Sequence, residues 1–289
     1  MGLFFGKRED KQRTVAPDNP PQKIVGELLS APSPAVCRML SYHVANLQGI
    51  GTRQEQQDSF SFVNGINVSK MKQRGLLAIV ADGMGGMKDG RIAGEMTVDS
   101  IKASFEQFDY DADFSEQLFE ALRDANDRVF RALDEEGGST AVVCFFFRGK
   151  LWYASVGDSY LFLLRNKQLC RINRPHTLFS LECEKQILRG SVDTHVADSD
   201  PEKDALARFI GMEDIEDIDG FVRPMTLSEG DVIMLCSDGV AGVLDPAEIR
   251  DCLSLSAPDK MCRGLEQCIL EKQRHFQDNY TALIIRCEY

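Results

Sequence analysis

The chain has 289 residues, 43% hydrophobic and 27% charged, which is the composition of a soluble globular protein long enough to bury a sizeable core. Its formal net charge of −12 argues against a nucleic-acid partner, which requires a basic face, and no apolar run approaches the roughly 18 residues that span a bilayer. The nine cysteines are odd in number and include no C-x-x-C pair, so they fit neither a disulfide framework nor a zinc knuckle and imply a reducing, cytoplasmic compartment.

Residues 1–40 read as a flexible tail. Lys7 to Lys11 is a charged run, and Pro17, Pro20, Pro21, Pro32 and Pro34 break regular structure, with at most one helical turn over Ile24 to Leu29. Leu3 to Phe5 is too short for a signal peptide, and Gly6 spoils a myristoylation motif at Gly2. The dense region starts at His43 and extends to the last residue, so the expected folded domain is 41–289. Ser59 to Val63 alternates as a half-buried strand does, and Leu76 to Ala81 is a short apolar strand ending on Asp82. Ile92, Met96, Ile101, Phe105 and Phe108 recur at helical spacing. A second helix carries Leu118, Leu122, Ala125, Val129 and Leu133 on one face, and Asp113 with Glu116 suits its start.

Strands are then predicted over Ala141 to Phe147, Leu151 to Val156 and Tyr160 to Leu164, with turns at Arg148-Gly149-Lys150 and Asn166-Lys167. Residues 174–225 are less regular and more acidic, and their charge runs, Asp198 to Asp204 and Glu213 to Asp219, read as solvated loops on an inserted, flap-like subdomain. Asp231 to Cys236 is another strand. Asp245-Pro246-Ala247-Glu248 is a helix start, a last helix covers about 259–275, and Thr281 to Cys287 closes the chain as a strand. Two helices in succession with no strand between them exclude βαβ alternation. The pattern is that of antiparallel sheets packed face to face with helices outside.

Four aspartates stand at strand ends: Asp58, Asp82, Asp238 and Asp278. Antiparallel pairing would gather them on one edge, where they repel unless cations lie between them. An all-oxygen ligand set favours Mg²⁺ or Mn²⁺ over zinc. The glycines of Asp82-Gly83-Met84-Gly85-Gly86 would let a backbone carbonyl reach a metal as well.

Six segments in order resemble the type 2C (PPM) metal-dependent serine/threonine protein phosphatases, particularly their bacterial branch. They are Gly51-Thr52-Arg53 leading to Gln57-Asp58-Ser59; Val80 to Gly86; Gly138-Ser139-Thr140-Ala141; Val156-Gly157-Asp158-Ser159; Leu235 to Gly239; and Asp278-Asn279-Tyr280-Thr281. The resemblance implies an α+β fold, a four-layer α/β/β/α sandwich of two antiparallel sheets flanked by helix pairs. It implies two Mn²⁺ or Mg²⁺ ions, with Asp82 bridging, Asp58 and the Gly83 carbonyl near the first, and Asp238 and Asp278 at the second. Arg53 would clamp the substrate phosphate, a role its planar guanidinium suits. A metal-activated water would then hydrolyse phosphoserine and phosphothreonine in protein substrates, opposing a cognate serine/threonine kinase.

The resemblance has departures. No histidine follows Asp58, so the general acid is unassigned. A third ion would take a further acid from Asp134, Glu135 or Glu136, of which Glu135 is the nominee. Asp158 reads as structural, as do His176, His43, His195 and His275, and Trp152 reads as core. The Cys183 to Arg189 spacing of cysteine phosphatases is coincidental, because Glu182 and Glu184 would repel phosphate. Two other function classes fit the same residues: a silent docking protein that keeps the fold, and a phosphohydrolase acting on small metabolites.

Overall fold

The computed structural model describes residues 39–84, 89–134, 136–191 and 195–289. The expected tail, including Ile24 to Leu29, lies outside the described residues except for Met39 and Leu40. The chain runs through β1 (Ser41–Gly49), β2 (Asp58–Val63), α1 (Val68–Arg74) and β3 (Leu76–Asp82) into two successive helices, α2 (Gly90–Glu106) and α3 (Phe114–Leu133). Four strands follow, β4 (Ala141–Phe147), β5 (Lys150–Val156), β6 (Tyr160–Arg165) and β7 (Gln168–Arg171). Then come α4 (Leu178–Leu188), α5 (His195–Asp198), β8 (Asp219–Gly220) and β9 (Met225–Thr226). The chain ends with β10 (Val232–Cys236), α6 (Asp238–Ala241), α7 (Pro246–Leu253), α8 (Pro258–Glu271) and β11 (Tyr280–Glu288).

Every strand pair is antiparallel. One sheet has the order β1-β11-β10-β6-β7 and the other β2-β3-β4-β5-β8, with β9 also on β5. Side-chain parity then builds the layers. Leu76, Ala78 and Val80 of β3 share a core with Leu235, Leu283 and Ile285 of the opposite sheet, so one face of each sheet packs on the other. The alternate residues Leu77 and Ile79 pack instead with Ile101, Phe105, Leu118 and Leu122 of α2 and α3. On the far side, Met234, Ala282 and Ile284 pack with Ile249, Leu253, Met261 and Leu265 of α7 and α8. Both faces of each central strand are therefore buried, which is why these strands read as continuous apolar runs. The layers are α/β/β/α, as the resemblance implied.

Local chemistry sets the helix ends. Asp113 accepts the N–H groups of Ser115 and Glu116 at the start of α3, and Asp245 with Glu248 forms a capping box at the start of α7. The last helix stops at Glu271, short of the expected 275, and Gln273 just beyond it adopts φ +48°, a left-handed value that α-helix cannot continue through. Residues 174–225 contain the eleven-residue helix α4, capped by Thr177, which precedes both acidic runs. The amide of Leu178 is bonded to Ala205 and that of Phe179 to Lys203, so this segment folds back on itself. No residue of α4 is fully buried, which explains why its apolar spacing was too weak to read.

Candidate metal and phosphate site

Asp58 and Asp82 are built by register. Asp58 opens β2 directly opposite Asp82, the last residue of β3. By parity Asp82 continues the row Leu76, Ala78, Val80, so both carboxylates project into the layer between the sheets. At this end of that layer hydroxyls and acids replace apolar side chains. Thr140 bonds Asp82 twice, its N–H donating to the Asp82 carbonyl at 2.8 Å and its Oγ1 accepting the Asp82 amide at 3.0 Å. Ser139 Oγ also donates to the Asp82 carbonyl, at 3.0 Å. Thr140 Oγ1 is in turn 2.7 Å from Ser159 Oγ, in the turn that leads from β5 to β6 of the opposite sheet. The Gly-Ser-Thr and Gly-Asp-Ser segments thus hold Asp82 in place. Gly83 sits against the Gly90 and Gln57 carbonyls, where a Cβ would collide with both.

Asp238 and Asp278 come from the other sheet, flanking β10 and β11. Asp238 begins the short helix α6 rather than ending the strand. Its neighbour Ser237 joins the two sheets: Ser237 Oγ donates to Asp58 Oδ2 at 2.8 Å and accepts the Thr281 amide at 3.0 Å. Asn279 fastens the loop that carries Arg53. Its Oδ1 accepts the Gln57 amide at 2.8 Å, and its Nδ2 donates to the carbonyls of Ile50 at 2.9 Å and Glu55 at 3.1 Å. Gly51, with φ +62°, lies so close to the Asp278 carbonyl that a side chain could not fit. Arg53 Nη2 then donates to Asp278 Oδ2 at 2.6 Å.

The electrostatics follow from this crowding. Burial pushes Asp58 up to about 6, partly offset by its bond from Ser237. Burial raises Asp82 well above the carboxylate range, and the charges of Asp58, Asp238, Asp158 and Asp278 raise it further. Burial and Asp278 raise Asp238, while Arg53 opposes the rise. These carboxylates cannot all ionise together without added positive charge. Asp58 Oδ1 is buried with no hydrogen-bond partner, an orphan acceptor aimed into the same layer. The residues present therefore fit hard divalent cations. Among the described residues no three His, Cys, Asp or Glu side chains stand as a converged ligand group.

The structure also places the remaining expected residues. Glu135 lies outside the described residues, Asp134 caps α3, and the exposed Glu136 bonds Leu133 and Asp89 through its backbone. Asp158, read from sequence as structural, is pushed up to about 6 by burial and by Asp238, and its charge in turn raises Asp82. Its signal was the one used for the others, an apolar strand running into a Gly-Asp turn. His176 is buried and its Nδ1 accepts the Gly157 amide at 3.0 Å. Cys183 lies within α4, a helix and not a phosphate-cradling loop.

The family model for protein phosphatase 2C matches residues 42–186. The chain belongs to the protein phosphatase 2C family. This phosphatase is 27% identical over 223 residues to the serine/threonine phosphatase stp of Listeria welshimeri, which covers 72% of this chain and 83% of that protein. Among solved structures it is similar to PppA, described as a key regulatory component of T6SS in Pseudomonas aeruginosa, with 26% identity, TM-score 0.67, and coverage of 86% of this chain and 100% of that one. It shares its fold with the catalytic domain of the serine threonine protein phosphatase PstP in complex with 2 manganese ions, at 21% identity, TM-score 0.67, and coverage of 86% and 100%. The phosphatase is metal-dependent and acts on serine/threonine phosphate in proteins. Among the described residues no helix is long and apolar enough to cross a membrane.

Proposed function

We propose that this phosphatase works through the acid cluster at the end of the inter-sheet layer, with Asp58, Asp82, the Gly83 carbonyl, Asp238 and Asp278 holding two Mn²⁺ or Mg²⁺ ions. The carrying observation is the buried, mutually repelling set of carboxylates around Asp82, together with the orphaned Asp58 Oδ1. Asp158 is a further acid suited to an additional ion, because its charge acts on Asp82 and it is itself raised by Asp238. Bound there, divalent cations supply charge to the transferring phosphoryl group and acidify the attacking water.

The chain's own residues do the rest. Thr140 and Ser139 fix Asp82 by its backbone, leaving its carboxylate to be oriented by the site. Ser237 holds one oxygen of Asp58 and leaves the other unpartnered. Arg53 stands at the rim, half-exposed and paired with Asp278. From there its second guanidinium edge can take phosphate oxygens in the bidentate manner that Arg allows. The sequence has no histidine shortly after Asp58 to protonate the leaving alkoxide, and solvent at the rim is the proton source in this reading. Substrates are phosphorylated proteins and the opposing enzyme a serine/threonine kinase. Residues 174–225 serve as the flap that shapes substrate choice. The free thiols of the described cysteines suit the cytoplasm.

The test is hydrolysis of a phosphothreonine peptide with Mn²⁺, with Mg²⁺ and with EDTA, beside Asp238→Ala. Activity that requires metal and collapses in the variant is the expected result. A folded protein inactive with every metal would return the docking reading, and faster turnover of sugar phosphates than of the peptide would return the metabolite one.

A further inference from the structure

Behind the acid cluster, the β6–β7 hairpin carries a second arginine that the reaction chemistry has not used. Arg171 ends β7 in register with Phe162. Its guanidinium lies over Tyr160, with the central carbon 3.8 Å from the ring centroid. That ring is itself stacked on Phe162, with centroids 5.6 Å apart and planes 14° apart, so the platform is fixed. From it Nη2 donates to the main-chain carbonyl of Asp158 at 3.0 Å and reaches that of Ser159 at 3.4 Å. Asn173 shares the task, its Nδ2 donating to the Ser159 carbonyl at 2.8 Å while its Oδ1 accepts the Leu161 amide at 2.8 Å.

The turn held in this way delivers two groups to the site. The Asp158 carboxylate adds its charge to the field on Asp82 and is itself raised by Asp238. The Ser159 hydroxyl, 2.7 Å from Thr140 Oγ1, supports the residue that bonds the Asp82 backbone. A half-buried guanidinium satisfied by two carbonyls and a ring is costly to place and gives a rigid, directional clamp that lysine does not reproduce.

We propose that Arg171 is a positioning residue for the cation site: clamped on Tyr160, it fixes the 157–160 turn and so sets where Asp158 stands to receive a divalent ion. The inference rests on the reading of the acid cluster as that site. It assigns Arg171 no contact with substrate or ion.

The experiment is calorimetric titration of the full chain with Mn²⁺, with thermal unfolding of the same samples in EDTA. Arg171→Gln is expected to weaken by about tenfold the Mn²⁺ equivalent that Asp158→Asn weakens most, the scale of supporting groups around metal ligands. Arg171→Lys is expected to recover part of that loss. In an Asp158→Asn background, Arg171→Gln should cost less than about twofold, because the two residues act through one another. Tyr160→Leu, which removes the platform, should weaken the same equivalent by about two- to threefold, and it serves in place of Arg171→Gln if that variant does not fold. Unchanged Mn²⁺ affinity with only a lowered melting temperature would make Arg171 merely structural and overturn the proposal, as would an undiminished tenfold loss in the Asp158→Asn background. Failure of the wild-type chain to take up Mn²⁺ would instead overturn the underlying reading of the site.

Discussion

Two pairs of aspartates, one from each sheet, meet at the same edge in different surroundings. Asp58 and Asp82 are paired across adjacent strands inside the sandwich, and Asp58 is only 4% exposed. Asp278 is reached by solvent, its side chain 41% exposed, and Arg53 answers its charge at 2.6 Å. The inner pair has hydroxyl and amide partners and no arginine or lysine at ion-pair distance among the described residues. The difference teaches a division of labour. Burial raises both inner carboxylates, Asp82 further than Asp58, whereas Asp278 at the outer edge is balanced by Arg53, which is where a phosphate would arrive.

The largest expected effect sharpens that contrast. Asp82→Asn should lower activity on a phosphothreonine peptide by on the order of 10³-fold, as removal of a central electrostatic group does. Asp278→Asn should cost only about 10- to 100-fold, on the scale of a supporting metal contact. Equal losses in the two variants would erase the distinction between inner and outer pairs. Next is a control far from both. Phe145 is fully buried between its sheet and α2–α3, in edge contact with Phe105 and Phe114. Phe145→Ala should cost about 3–5 kcal/mol of stability in urea unfolding and leave Mn²⁺ affinity unchanged. A loss of affinity there would mean that the site is not mechanically separable from the core.

Asn279→Ala is expected to be intermediate, about 1–3 kcal/mol, because it removes the side-chain partner of the Gln57 amide and of the Ile50 and Glu55 carbonyls, of which Ile50 keeps the Arg53 amide. Since those groups hold the Arg53 loop, KM for the peptide should rise more than kcat falls, and the reverse split would place Asn279 with the inner pair. The smallest effect is in pH. Asp58 is pushed up to about 6 from 3.8, so between those values the metal-free folded protein holds a proton that the unfolded chain has lost. Its contribution to stability is present below the unfolded value and is lost as pH rises through about 6. Melting temperatures in EDTA, corrected with an Asp58→Asn variant that should lack this slope, should fall across the window. Saturating Mn²⁺ should remove the fall, since the ion takes the proton's place.

Much of this was legible in the chain. The central strands announced themselves as apolar runs because both their faces are buried, and α3 and α7 carried their caps in the sequence. The four strand-end aspartates could be picked out because charge directly after a buried strand is expensive unless it has work to do. Other features gave little signal. The strand β1 (Ser41–Gly49) lies at a sheet edge, where polar residues interrupt its alternation. α4 buries no residue fully, and the hydrophobic period that would have marked it is diluted. The field that Asp158 shares with Asp82 and Asp238 has no signature in the chain, because these residues are distant in sequence and the field exists only after folding.

By itself, then, the sequence determined the strands, the principal helices, the acid types and the family, because periodicity, caps and motif spacing are local properties. Tertiary structure decided which carboxylates are buried and which balanced, and that Ser237, Thr140 and Ser159 bridge the sheets. It also decided that Asn279 fastens the Arg53 loop and that Arg171 backs Asp158. These properties depend on distances between segments as far apart as Gln57 and Asn279. Only the closing of one sheet on the other fixes such distances, and with them the charge state of every acid at the shared edge.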